Sequence, residues 1–252
     1  MNKRLFIFIV ASLLAVTVTG QNPQKEIDTA EAVVSRYLNL MNIESLRRDS
    51  ILFIESVIYH RSSPHDTAIM KRWYLPPNRM RSELWHGDTL LQGAYTDGKN
   101  IFKECDKSMF NGWTKVAMSR YYNIEPLYDF RGPLYHWKAN AVDLTYKGIW
   151  HFNNNEVYRV VADSPNGYVN HYLFEKESGL LFFIEETNSH STYSNHKAEE
   201  HPDWHAYHEY QPIGNAILPS IESYQMNEDV IFYFTKYRYI PIDMRIFTED
   251  KP

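Results

Sequence analysis

Short runs of aromatic and β-branched residues, separated by tight-turn dipeptides, constrain this chain more than any other feature. Gly87-Asp88 separates RMRSELWH (79–86) from TLLQGAYT (89–96), and Asp97-Gly98 separates that run from NIFKE (100–104). Asp-Gly between apolar runs is a strong hairpin signal, because the turn requires positive φ. Pro76-Pro77 stops an earlier run, AIMKRWYL (68–75), and SILFIESVIYH (50–60) precedes it. The same rhythm returns after residue 140 with AVDLTYKG, EVYRVVAD, YVNHYLF, LLFFIEETNSH, DWHAYHEYQ, AILPSIESYQ and VIFYFTKYRYI. Turns fall at Pro165-Asn166-Gly167 and Glu177-Ser178-Gly179. With 15% aromatic residues, the composition suits pleated, half-buried surfaces. The reading is about eleven antiparallel strands in meander order.

Two stretches depart from this pattern. Ala30, Val33, Val34, Tyr37, Leu38 and Met41 recur at helical spacing and form one apolar stripe. Asp28 is the expected cap, with Glu31 three residues on as in a capping box, and Asn42 closes the helix. Residues 105–140 show no period of two and read as one or two short helices plus loop, packed on the sheet as a lid. The fold class predicted is therefore mainly β with α.

The first twenty residues read as a secretory signal peptide. Lys3 and Arg4 supply the positive start, Leu5 to Val18 is an apolar run of 14, and Val18-Thr19-Gly20 offers small residues before Gln21. That run is shorter than the ~20 residues of a membrane-spanning helix. Residues 21–252 are then one domain, expected to be exported and soluble. Removing Lys3 and Arg4 leaves 24 basic against 31 acidic residues, a net charge of −7. An acidic chain is a poor nucleic-acid ligand, since binding there rests on phosphate neutralisation. Cys105 is the single cysteine, so no internal disulfide forms and a packed core must hold the fold.

The segment EEHPDWHAYHEY places His201, His205 and His208 within eight positions. On a helix these three would share a face and could chelate zinc. Pro202 and the alternation after it argue for a strand instead, where neighbouring side chains point to opposite faces. His205 then lies with Tyr207 and Glu209, and His208 with Trp204, Ala206 and Tyr210. A polar sheet rim is the reading preferred, with His201, His205 and His208 kept as metal candidates. No G-x-S-x-G, phosphate-cradling glycine loop, H-E-x-x-H or C-x-x-C is present, and no catalytic constellation or cofactor is implied.

What remains is apolar surface. Met80, Ser82 and Leu84 share one face of their run, opposite Arg79, Arg81, Glu83 and Trp85. In SILFIESVIYH both faces are apolar, with Ile51, Phe53, Val57 and Tyr59 against Leu52, Ile54 and Ile58. A long meander covered by one helix and a lid would have a large apolar concave face. Such a face is either core filled by the helices or a cavity for a hydrocarbon ligand.

The order of helix and strands resembles the outer-membrane lipoprotein carrier (LolA-type) superfamily, in its longer lipoprotein-sorting-like branch. The carrying residues are Pro77-Asn78 with Met80, then Thr96-Asp97-Gly98-Lys99, Asp129-Phe130-Arg131-Gly132-Pro133-Leu134, and Ala216-Ile217-Leu218-Pro219-Ser220. The resemblance implies an unclosed, curved antiparallel barrel with helices on its concave side, holding acyl chains of lipids or lipoproteins in the periplasm of a Gram-negative bacterium. The carriers of that superfamily place an arginine directly before Pro-Asn, where it holds the lid; here that position is Pro76. The expected role is a non-enzymatic carrier or binding protein, with Phe53, Met80, Leu84, Phe102, Trp113 and Tyr128 as ligand contacts. The rivals are an envelope protein-interaction module with a filled cavity, and a metal-dependent hydrolase built on the histidine-rich strand.

Overall fold

The structure, a computed structural model, describes residues 27–96, 102–106, 113–116, 131–132, 134–152, 154–165, 167, 169–187, 203–226 and 229–248. The expected signal peptide and most of the expected lid lie outside them.

Helix α1 spans Ala30–Met41 and buries Ala30, Val33, Val34, Tyr37 and Met41, the stripe expected from spacing. Its cap is Thr29 rather than Asp28: the Ala32 amide donates to Thr29 Oγ1 at 3.2 Å. Thr29 has extended backbone, as a helix cap requires. Asn42 ends the helix in the left-handed region, its amide donating to Leu38 O at 3.0 Å. A 3-10 turn, Ile43–Ser45, follows.

Among the described residues, thirteen strands then form one sheet. They are β1 (Ile51–His60), β2 (Thr67–Leu75), β3 (Arg79–His86), β4 (Thr89–Thr96), β5 (Phe102–Asp106), β6 (Trp113–Val116), β7 (Asp143–Phe152), β8 (Asn155–Asp163), β9 (Val169–Glu175), β10 (Leu181–Thr187), β11 (Asp203–Ile213), β12 (Ala216–Met226) and β13 (Asp229–Ile240). The expectation of about eleven is exceeded, in part, by β6, which lies inside the stretch read as helix and loop. There Trp113-Thr114-Lys115-Val116 pairs with β5 instead, as an aromatic and β-branched run at a sheet edge can.

The spatial order is β6-β5-β4-β3-β2-β1-β13-β12-β11-β10-β9-β8-β7, antiparallel throughout. First and last strands meet in the middle, and the two edges, β6 and β7, are consecutive in the chain. The sheet is strongly curved. Met80 on β3 and Tyr158 on β8 belong to one buried cluster around α1, although their strands stand eight places apart. Laid flat, eight strand spacings would cover about 38 Å, far more than one helix diameter of about 10–12 Å. The result is an unclosed half-barrel wrapped around α1.

The inner face carries the main core, where α1 meets Leu52, Ile54, Tyr74, Tyr172, Phe174, Leu181 and Leu218. Leu134 and Trp137, from the turns at 134–140, join it, and the buried Arg131 guanidinium stacks over Tyr135 at 4.7 Å and Tyr74 at 5.6 Å. The outer face carries a second cluster, Ile51, Phe53, Trp73 and Leu75, covered by Phe247 of the C-terminal 3-10 turn Met244–Phe247.

The polar side of α1 is tied to the β9–β10 turn. Arg36 donates from Nη1 to Lys176 O at 3.0 Å and from Nη2 to Glu177 O at 2.7 Å. Gly179 in that turn has φ +80, and a Cβ there would sit 2.5 Å from Arg36 Nε. Gly179→Ala is therefore expected to lose about 1–2 kcal/mol from left-handed strain, plus the Arg36 contacts. A thermal melt checks this, and an unchanged Tm would contradict it.

Candidate binding site on the inner face

Strand alternation assigns the inner face. The residues in register with Leu52, Ile54, Ser56 and Ile58 of β1 are Tyr74, Arg72, Met70 and Ala68 on β2, and Tyr239, Tyr237, Thr235 and Tyr233 on β13. On β3 they continue as Met80, Ser82, Leu84 and His86. Toward one end these positions pack on α1. Toward the other they form a separate apolar cluster of Ile58, Met70 and Ile231, with Ala68, Leu84, Tyr224 and Tyr233 packed against it. No residue of α1 belongs to this cluster.

Between the two apolar regions runs a polar band. Ser56 Oγ and Thr235 Oγ1 are 2.8 Å apart and buried. Arg72 Nη2 donates to Ser56 Oγ at 2.9 Å. Arg72 is only 7% exposed, and its Nε, fully buried, has no hydrogen-bond partner. Further round the sheet, Glu222 stands opposite Tyr233 on one side and Tyr207 on the other. Its Oε2 lies 3.0 Å from His205 Nε2, out of line for a hydrogen bond, so that nitrogen is also unpartnered. His205 stacks on Tyr207 with ring centroids 4.5 Å apart.

The band is largely buried, and burial raises the pKa of its tyrosines. Burial pushes Tyr233 up to about 12; the Glu222 charge adds to the shift and Arg72 opposes it. Tyr237 is raised further, again by burial first and Glu222 second, with Arg72 opposing. The Tyr237 and Tyr210 hydroxyls donate to backbone as neutral groups, Tyr237 to Pro219 O at 2.5 Å and Tyr210 to Leu181 O at 2.7 Å. Chemically the band presents neutral hydroxyls, one cation and one carboxylate. Buried groups of this kind usually have partners, and the Arg72 Nε is an exception.

The structure distributes the expected contacts widely. Leu84 lies in the apolar cluster of this site. Met80 is on the inner face but buried in the main core beneath α1. Phe53 is corrected to the outer face: it packs on Trp73 with ring centroids 5.3 Å apart, and Arg238 Cζ lies 4.7 Å above its ring. The reason is the two-residue period of β1, which sends Phe53 opposite to Leu52 and Ile54. Phe102 pairs in register with Thr96 and Val116, and Trp113 with Cys105; their side chains are outside the described residues. Tyr128 and His201 lie outside them as well.

The histidine segment is strand β11, as its alternation predicts. His205 is on the inner face, while His208 is exposed, with Nε2 2.6 Å from Ser223 Oγ and its ring 6.5 Å from that of Phe232. The two do not converge, and among the described residues no three His, Cys, Asp or Glu side chains form a metal-binding group. One detail differs from simple alternation. Register shifts at Tyr207/Glu209 and Glu209/Tyr210 bring Tyr210 against the inner core rather than beside His208. Bulges re-aim side chains in this way.

Sequence reasoning missed Arg72, Ser56, Thr235 and Glu222. A signal existed at Arg72, which interrupts the series Ala68, Met70, Tyr74 on one face of β2. It was masked by Lys71, which interrupts the other face.

Solved structures bear the fold out. A LolA superfamily protein from Nitrosomonas europaea superposes with a TM-score of 0.58 at 8% identity, covering 88% of this chain and 98% of that one. A DUF1329 family protein from Desulfovibrio piger gives 0.59 at 9% identity, with 88% and 98% covered. An outer membrane lipoprotein-sorting protein domain from Vibrio parahaemolyticus gives 0.56 at 10% identity, with 83% and 93% covered. No protein-family model and no curated protein matches the sequence. The likeness is one of fold.

Proposed function

We propose that this chain is a cell-envelope binding protein or carrier that holds the hydrocarbon tail of a lipid or lipoprotein against the inner face of its half-barrel. The observation that carries the reading is the buried apolar cluster of Ile58, Met70 and Ile231, with Leu84 packed against it, which is separate from the core that contains α1. Each methylene moved from water into such a surface is worth about 0.8 kcal/mol, so a tail can be held without any catalytic group. The fold shared with a lipoprotein-sorting domain supports the same reading. The leader-like first twenty residues support export to the periplasm.

Native mass spectrometry and displacement of a fluorescent fatty-acyl probe test it. Leu84→Glu places a charge in the tail's path and is expected to weaken probe binding by about tenfold or more, given the penalty for burying a charge. Probe affinity equal to that of the unmodified chain, or no binding by the unmodified chain, would count against the proposal. The protein-partner reading draws on a different surface. Tyr59 stacks with Phe232 at 5.2 Å and Phe234 at 5.4 Å on the outer face, where Val57 and Phe234 are exposed. Exposed apolar patches often mark contact surfaces.

A further inference from the structure

We propose, building on the hydrocarbon-binding reading, that Arg72 anchors the carboxylate of a free long-chain fatty acid whose tail lies over Ile58, Met70 and Ile231. The starting point is a cation that is more than nine-tenths buried and has only a serine hydroxyl for company. Among the described residues, no carboxylate lies within ion-pair distance of it. Glu222, the acid of the same band, has its Oε2 3.0 Å from His205 Nε2. A buried guanidinium ordinarily has an anion beside it, because desolvation without one is costly. Here the Nε atom is buried in the protein interior without a hydrogen-bond partner.

The geometry selects the anion. A guanidinium edge offers two parallel N–H donors, and a planar carboxylate accepts both. Nη2 gives one hydrogen to Ser56 Oγ and has a second, and Nε–H has no partner, so the group has donors left for a carboxylate. Glu222 shares the band, and its charge is felt at the same tyrosines as that of Arg72. A doubly charged phosphate would meet repulsion there that a singly charged carboxylate meets more weakly. The tail follows from strand geometry. Met70 is two residues from Arg72 and Ile58 two residues from Ser56, on the same face, so the apolar cluster begins one strand repeat of about 7 Å away. Head and tail subsites are thus adjacent. An acyl chain esterified in a lipid or a lipoprotein has no carboxylate to offer, so the anchor favours the free acid.

Isothermal titration of the whole mature chain with palmitic acid and with methyl palmitate tests this at one pH where the acid is ionised. The unmodified protein is expected to bind the acid about 10- to 100-fold more tightly than the ester, the range of one charge-assisted hydrogen-bonded contact. Arg72→Met is expected to abolish that preference, bringing acid affinity down to that of the ester, with circular dichroism showing that the variant is folded. Equal affinity for acid and ester in the unmodified protein would overturn the anchor and leave the hydrocarbon site standing. Binding of neither would remove the site and the anchor together. Full preference retained in Arg72→Met would assign the carboxylate to another residue and overturn the proposal. The acid–ester comparison is made on unmodified protein, so it holds even if the variant fails to fold.

Discussion

Arg81→Ala is expected to destabilise the protein by about 3–5 kcal/mol, the range for removing one member of a buried ion pair. Arg81, Glu83 and Trp85 are spaced by two on β3 and so share its outer face. Arg81 Nε donates to Glu83 Oε1 at 2.6 Å, and the two side chains are 3% and 1% exposed. Trp85 Nε1 donates to Glu83 Oε2 at 2.9 Å. Arg81 Nη1 reaches the C-terminal segment, donating to Ile246 O at 3.0 Å and Thr248 O at 2.7 Å. Alanine would leave the Glu83 carboxylate buried without its cation. It would also free the 3-10 turn whose Phe247 covers Ile51, Phe53, Trp73 and Leu75. Urea unfolding should show the loss, and limited proteolysis should cut after residue 240 before the rest of the chain. The double variant Arg81→Met with Glu83→Leu is expected to recover most of the stability, since it leaves no orphaned charge. A single variant within 1 kcal/mol of the parent, with its C-terminus still protected, would refute the clamp.

That clamp shows why the faces of the sheet were only half legible. Alternation in RMRSELWH correctly separates Met80, Ser82 and Leu84 from Arg81, Glu83 and Trp85. It does not say which set meets α1 and which meets the distant C-terminus. In β1 both sets are apolar because both sides are covered, by α1 and by the C-terminal turn, and Phe53 was therefore placed on the wrong side. The buried stripe of α1 was legible, since a single buried face leaves one stripe, whereas its cap is one residue later than expected. The hairpins were legible from turn chemistry, whereas the bulges in β11 carry no composition signal and re-aimed Tyr210 unannounced. The polar band was hidden for a physical reason. Ser56 and Thr235 lie 179 positions apart and meet only because β1 pairs with β13, a closure that local patterns do not encode.

Arg72→Met is expected to stabilise the ligand-free protein by about 1–3 kcal/mol, opposite in sign to Arg81→Ala although both residues are buried arginines. The difference lies in their partners. Arg81 has a carboxylate and two carbonyls. Arg72 has one hydroxyl, and its Nε has no partner. Losing the bond to Ser56 subtracts about 1.5–3 kcal/mol, the value of a hydrogen bond to a charged group. Relieving the burial of an uncompensated ion returns several kcal/mol, which is the larger quantity. Methionine is flexible enough to fill the space and would extend the neighbouring cluster of Met70 and Ile58. The Glu222–His205 contact at 3.0 Å is the same with either residue at position 72. Thermal and urea melts of ligand-free protein measure the effect. A loss of 2 kcal/mol or more would mean that Arg72 holds the fold together, and the cation would then need no ligand to account for it. A gain in stability accompanied by loss of carboxylate preference would show a strained group retained for what it binds.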